Sequence, residues 1–221
     1  MIELVFVIVV IGILAAVIIP NMRTNPLYEA ATQVISHIRY TQHLAMVDDK
    51  FDSVYTVNHE WYKKRWQIAF STGDNYANNK PSYLIFRDND ADTNPDKIEI
   101  AKNSLDPSKY LTGGVSGEST LDIRDSDAFE GTKALNLGES YNIMDIKLSS
   151  SCSTGTKIAF DHLGRPLRGP LASYDSAYHA GRLVTSVCNI TLVASEGNLT
   201  IAIQPETGYA CILNDAGTEC I

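Results

Sequence analysis

The chain has 221 residues, a formal net charge of −8 and a hydrophobic fraction of 44%. That length accommodates one domain of ordinary size with an appendage, and the composition is that of a globular protein rather than a disordered one. The excess of acidic residues argues against a general nucleic-acid binder, whose affinity would depend on basic residues that neutralise phosphates. We therefore do not expect nucleic acid as a partner.

The first element in chain order is an uncharged apolar run from Leu4 to Ile19, preceded by Glu3. As a helix this run would be about 24 Å long at about 1.5 Å per residue, close to the length that spans a bilayer. A cleaved secretory signal would begin with basic residues and end in a small-residue cleavage site, and neither is present. We therefore assign residues 1–26 to a hydrophobic transmembrane or filament-core helix.

Two residues weaken the helix within this run. Gly12 lowers helix stability by about 1 kcal/mol relative to alanine, and Pro20 removes a backbone hydrogen bond. We expect the helix to loosen between them and to act as a hinge when it packs among identical neighbours.

After Pro26 the apolar residues recur at helical spacing with polar residues between them, which is typical of an amphipathic helix. The positions on the apolar stripe are Leu27, Ala31, Val34, Ile35, Ile38, Ala45 and Met46. We predict that this helix covers residues 27–50 and packs on the domain that follows. Together with the preceding run it would form one long N-terminal helix, hydrophobic in its first half and amphipathic in its second.

Residues 51–221 contain short β-like runs separated by turn signals, which indicate a β-rich globular head. The candidate strands are 66–70, 83–87, 157–160, 182–187, 189–193 and 198–203, and the last of them is followed by a hairpin partner after P-E-T-G. Residues 103–151 are rich in Ser, Gly and Asp, and we expect a long surface insertion with one or two short strands. The predicted fold class is α+β, with the long N-terminal helix packed on an antiparallel β-sheet.

The residues Ile2, Glu3 and Leu4, followed by an apolar run with a central glycine and a proline, resemble the start of the type IV pilin superfamily, which contains pilins and type II secretion pseudopilins. The glutamate-to-proline spacing of the family is kept, and the first residue here corresponds to a position two residues inside the family's mature start. The stretch K-I-A-F-D-H-L-G-R-P and the strands after it resemble the pseudopilin H and minor-pilin branch more weakly.

The resemblance implies a pilin-like fold and a structural subunit of a type IV pilus-like filament, which polymerises through its N-terminal helix. It implies that Glu3, Gly12 and Pro20 serve assembly, and that Glu3 pairs with the positive N-terminal amine of an adjacent subunit. A carboxylate in a low-dielectric bundle is tolerated when it is paired, and removal of one partner is strongly destabilising. The same pairing would set the register between subunits.

The implied partners are identical subunits in a helical homopolymer, the bacterial inner membrane before assembly, and the pilus or secretion assembly machinery. The implied location is the inner membrane first and then an extracellular or periplasmic filament on the cell surface. The alternatives are a pseudopilin of a type II secretion system, a minor pilin of a DNA-uptake system, and a membrane-tethered enzyme. No nucleophile elbow, P-loop or dinucleotide-binding motif occurs, so we do not expect an enzyme.

One acidic stretch, D-N-D-A-D-T-N-P-D-K-I-E, has the spacing of a calcium-binding EF-hand loop. The candidate ligands are Asp88, Asp90, Asp92, Asn94, Asp96 and Glu99. Position six is Thr93 rather than the glycine of that motif, and a strand rather than a helix is expected before the loop. The hypothesis is a Ca²⁺ site, and the alternative is a solvated acidic turn.

The four cysteines, Cys152, Cys188, Cys211 and Cys220, lie in the last third of the chain and form no C-x-x-C motif, so a zinc ribbon is not expected. Their even number favours two disulfides and an oxidising compartment, against the alternative of four reduced thiols. Of the three possible pairings we favour Cys152–Cys188 and Cys211–Cys220, because the second closes a short loop, containing D-A-G-T-E, that suits a turn.

Two further features are weaker. Asn198, with Glu196 before it and Thr200 after it, fits an acidic-x-Asn-x-Thr glycosylation pattern, whereas Asn189 fits only the shorter sequon. Both fall in candidate strands, where threonine is an ordinary residue. The basic clusters are small, and the one at 63–65, flanked by tryptophans, is the only one that suits contact with nucleic-acid phosphates and bases.

Overall fold

The structure, a computed structural model, describes residues 2–21, 25–53, 60–90, 92, 94–125, 127–152, 155–179 and 181–221, and within the first of these ranges it describes the side chains of 3–13. The described chain is α+β, with three α-helices and two four-stranded antiparallel sheets. The helices are α1 (Ile2–Asn21), α2 (Pro26–Val47) and α3 (Leu137–Tyr141). The strands are β1 (Trp66–Ser71), β2 (Ser82–Arg87), β3 (Ile143–Leu148), β4 (Lys157–Phe160), β5 (Pro166–Arg168), β6 (Cys188–Ala194), β7 (Gly197–Ile203) and β8 (Ala210–Ile212).

The N-terminal region forms two separate helices, so the prediction of one long N-terminal helix packed on a single sheet is wrong. α2 has its own start signal: Asn25 is extended, its side chain accepts a hydrogen bond from the Tyr28 backbone N–H, and Pro26 occupies the first helical turn. The helical conformation is disfavoured for a residue that precedes a proline, and Asn25 precedes Pro26. A helix that continued from α1 would therefore be interrupted at Asn25, and a new helix begins at Pro26.

Of the residues that the structure describes, none belongs to a helix with both the length and the apolar character needed to cross a membrane. The predicted transmembrane span therefore has no support from these residues.

The two sheets have the strand orders β2-β1-β4-β5 and β3-β6-β7-β8. In the first sheet Ile68 of β1 lies opposite Ile85 of β2 on one side and Ile158 of β4 on the other. In the second sheet β6 and β7 form a hairpin whose last pair is Ala194 and Gly197. Alternate residues of β6 are buried, as expected of a strand with one face on the core.

α2 joins the two sheets because its apolar stripe packs on both of them. The buried residues of this helix include Leu27, Val34, Ile35 and Ile38, as the amphipathic pattern predicts, whereas Met46 is exposed. They belong to one core cluster with residues of both sheets.

Side-chain hydrogen bonds add to this packing. Arg39 donates to the carbonyl of Ala210 in β8, and Gln42 donates to the carbonyl of Gly164 beside β5.

Most of the candidate strands form within a residue or two of their predicted ends, and the exceptions are informative. Residues 182–187 form no strand; Leu183 makes only an isolated bridge with Leu167. Strand β5 was not predicted, and β3 lies in the segment 103–151, where one or two short strands were expected without stated positions. The segment 103–151, expected on the surface, contains β3 and buries apolar side chains such as Leu111, Leu121 and Leu135.

Candidate assembly helix and acidic loop

Helix α1 presents an apolar surface that nothing in the described chain covers. From Leu4 to Ile13 its large side chains are all exposed, by 40% at Val10 and up to 73% at Phe6. The exposure follows every face of the helix rather than one stripe. A helix that is hydrophobic all round is normally buried, and exposed apolar surface of this extent marks an interaction site.

Glu3 lies in the first turn of α1, where the helix dipole favours a negative charge. Its nearest basic side chain in the sequence is Arg23, beyond the apolar run. A Cβ added at Gly12 would meet nothing within 4 Å, so this glycine serves no close contact within the described monomer. Pro20 falls within α1, but its side chain lies outside the described residues, so the proposed loosening between Gly12 and Pro20 stays a prediction.

The acidic loop connects β2 to Ile100, which forms an isolated bridge with Phe86. A short 3-10 helix, Lys97–Glu99, closes the loop, so the setting is not the helix–loop–helix of an EF-hand. The structure brings Asp88, Asp90 and Glu99 together: one carboxylate oxygen from each lies within 4.8 Å of the other two. Three of the six predicted ligands therefore converge.

The other three predicted ligands do not join this group. The Asp92 carboxylate accepts a hydrogen bond from the Asn94 backbone N–H at 2.7 Å, and Asn94 is exposed. Asp96 caps the 3-10 helix with its side chain. Thr93, the departure at position six, lies outside the described residues.

Burial determines the electrostatics of the convergent carboxylates. Glu99 is buried, and this burial raises its pKa, as do the charges of Asp90 and Asp88. The backbone N–H groups of Asn89 and Asp96 donate to Glu99 and act in the opposite direction. Burial lowers the pKa of Lys157, while the Asp88 and Asp92 carboxylates raise it, so this ammonium already balances part of the negative charge.

All four cysteines are paired, as Cys152–Cys188 and Cys211–Cys220. These are the pairings favoured from the sequence. Their Cα–Cα distances of 4.5 Å and 5.6 Å fall within the usual disulfide range. Disulfides persist in oxidising environments, which points to an extracellular or periplasmic location.

The candidate glycosylation site stays a prediction. Asn198 is exposed at the start of β7, opposite Val193. The Thr200 hydroxyl lies 3.1 Å from the Thr191 hydroxyl on the neighbouring strand, which gives this threonine a structural role. Asn189 is only partly exposed in β6.

Comparisons of the chain with protein-family models, with curated proteins and with solved structures give no match.

Proposed function

We propose that this protein is a structural subunit of a type IV pilus-like filament, in which copies of the chain polymerise through the apolar helix α1. The observation that supports the proposal most strongly is the exposure of the apolar side chains from Leu4 to Ile13 around the whole circumference of that helix. The resemblance of Ile2, Glu3 and Leu4 to the pilin start supports the same role.

Identical helices are the partners that fit this surface best. A groove on one partner protein would cover one stripe of a helix and leave the opposite side in water. Several neighbouring α1 helices around a common axis would cover every side, and each added copy would bury the same surface again. The head domain, which has its own core beneath α2, would then lie outside the helical bundle.

Glu3 would supply alignment in this arrangement. A carboxylate that enters an apolar bundle needs a counter-charge, and the positive N-terminal amine of the adjacent copy is the group that the pilin resemblance implies. A copy displaced along the axis would leave both charges unpaired, so the pair favours one register.

The filament would lie at the cell surface or in the periplasm, and its assembly would involve the pilus or secretion machinery. The two disulfides support an oxidising compartment but do not separate a long surface pilus from a short pseudopilin filament. Recovery of the protein in sheared surface fibres would favour the pilus, whereas its confinement to the periplasm would favour the pseudopilin.

The assembly role is tested by analytical ultracentrifugation and electron microscopy of the full chain and its Glu3→Gln variant, made in equal amounts. We expect filaments from the unaltered chain and their loss in the variant. The control is Glu29→Gln, which removes the same charge at an exposed position on α2. Ordinary filaments from Glu3→Gln, or a full chain that stays monomeric in every condition that permits export, would contradict the proposal.

A further inference from the structure

A cavity of about 290 Å³ lies in the head domain, remote in sequence from the acidic loop and from α1. We call it the arginine pocket. The lining residues used below are Arg65, Asp161, Arg165, Tyr174, Tyr178 and Arg182. They come from the segment before β1, the β4–β5 turn and the segment between β5 and β6, so the folded head brings together charges that are far apart in the sequence.

Arg65 is the most informative residue in this pocket because it is 94% buried, with only 6% of its surface exposed. Across the residues that the structure describes, its guanidinium makes no hydrogen bond and no ion pair; its contact is the Trp61 ring, whose centroid lies 5.0 Å away. A buried cation is costly when it is not paired. Burial lowers the pKa of Arg65, and the nearby charges of Asp161 and Asp49 act in the opposite direction.

The charge of the Asp161 carboxylate favours the charged form of Arg65, but this carboxylate makes no ion pair with Arg65 because Arg165 already occupies it. The Arg165 Nε donates to Asp161 Oδ2 at 2.7 Å, and the backbone N–H groups of Leu163 and Arg165 donate to Asp161 Oδ1. One cation and one anion are therefore matched within the β4–β5 turn.

Arg182 adds a second cation without a carboxylate partner in the described residues. It donates to the Ser173 hydroxyl at 3.0 Å, and its guanidinium lies 5.0 Å from the centroid of the Tyr174 ring. The pocket thus holds an excess of positive charge from Arg65 and Arg182, although the whole chain carries a net charge of −8.

We infer that the arginine pocket binds a small organic oxyanion, a sugar acid or sugar phosphate, whose carboxylate or phosphate is held by Arg65 and Arg182. Arginine presents a planar set of N–H donors that matches both groups. The cavity volume lies near the lower limit of small-molecule sites, about 300 Å³, which suits a single ring. Tyr178, which is exposed at the rim, and Tyr174 supply aromatic surfaces beside the arginines.

The inference is tested by calorimetric titration of the full chain with glucuronate, glucose 6-phosphate and uncharged glucose. We expect at least one of the two anions to bind and glucose not to bind. The anion that binds more tightly shows whether the pocket prefers a carboxylate or a phosphate. The Arg182→Gln variant should weaken binding by about tenfold or more, because one charge-assisted contact is lost. Arg124→Gln, at an exposed arginine paired with Asp122, is the matched control and should leave binding unchanged.

Arg65→Gln is a second variant, whose folding is checked by circular dichroism because Arg65 is buried. A folded Arg65→Gln protein should also lose binding. The inference is overturned if neither anion binds at about 10 mM, if glucose binds as well as the anions, or if Arg182→Gln and Arg124→Gln bind equally. Tighter binding of a short single-stranded oligonucleotide than of either sugar anion would overturn it in favour of a nucleic-acid site.

Discussion

His37 lies on α2 where the helix crosses the core, and its Nδ1 is 2.7 Å from the hydroxyl of Tyr83. Gln33 donates to the same hydroxyl at 2.9 Å. Tyr83 is fully buried, so this polar group connects α2 to the first sheet within the apolar interior. Burial lowers the pKa of His37 from 6.5 to about 4, because the charged imidazolium loses its hydration there.

The lowered pKa predicts how stability depends on pH. Between pH 6.5 and about 4 the unfolded chain binds a proton at His37 that the folded chain does not, so the free energy of unfolding falls as the pH falls through this window. The loss from this residue is at most about 3 kcal/mol.

Urea unfolding at pH 7 and pH 4.5 measures this loss of stability. His37→Gln should show a smaller loss than the unaltered chain, and His43→Gln, at an exposed position on the same helix, should not. Equal losses in all three proteins would contradict this assignment.

The calcium hypothesis is tested at Asp90, the exposed member of the three convergent carboxylates. If the loop binds Ca²⁺, the ion should stabilise the folded chain by about 2.7 kcal/mol at a concentration 100 times its Kd. Asp90→Asn should remove most of that gain while keeping the side-chain oxygen that accepts from the Asp92 backbone N–H. Differential scanning calorimetry with and without Ca²⁺ measures the gain.

Glu196→Gln removes the same charge in the exposed β6–β7 turn and serves as the control for the calcium test. An unaltered chain whose Tm does not respond to Ca²⁺, or an Asp90→Asn variant that responds fully, would exclude this site.

Residue spacing identified the acidic loop, but only three of the six candidate ligands converge in the structure. The count along the sequence places oxygens at the positions that calcium requires, yet side-chain direction depends on local hydrogen bonds. The carboxylates of Asp92 and Asp96 accept hydrogen bonds from backbone N–H groups of their own loop. These bonds hold the two side chains away from the three carboxylates that converge. No spacing rule contains those competing contacts.

At the scale of elements, the disulfides should contribute unequally to stability. Cys152–Cys188 joins residues 36 apart in the sequence, whereas Cys211–Cys220 joins residues 9 apart. In the chain-entropy model the longer loop contributes about 4 kcal/mol and the shorter one about 3 kcal/mol. Urea unfolding of the two double-alanine variants measures the difference. A larger loss from removal of Cys211–Cys220 would contradict this expectation.

Helix α2 and the hairpin strands were predictable because strong periodicity and clear turns mark them. The break between α1 and α2 was predictable in principle, since Asn25 and Pro26 form a recognisable start signal that the continuous helical pattern obscured. β5 was not predictable in this way: it is three residues long and begins with Pro166, so β4 pairing rather than local propensity defines it.

At the scale of the whole molecule, the arginine pocket shows what the sequence alone does not contain. In the sequence Arg65 belongs to the small basic cluster at 63–65 and Arg165 lies far from it, and only the folded head places both around one cavity. The exposed surface of α1, in contrast, follows directly from an apolar run that has no amphipathic pattern and therefore no face suited to the head domain.

Cryo-electron microscopy of assembled filaments, at a resolution that shows side chains, tests whether the chain polymerises through α1. We expect α1 helices at the filament axis, with Leu4 to Ile13 covered by neighbouring copies and the Glu3 carboxylate within ion-pair distance of a neighbour's N-terminal amine. A filament held together by contacts between head domains, with α1 on the outside, would contradict it.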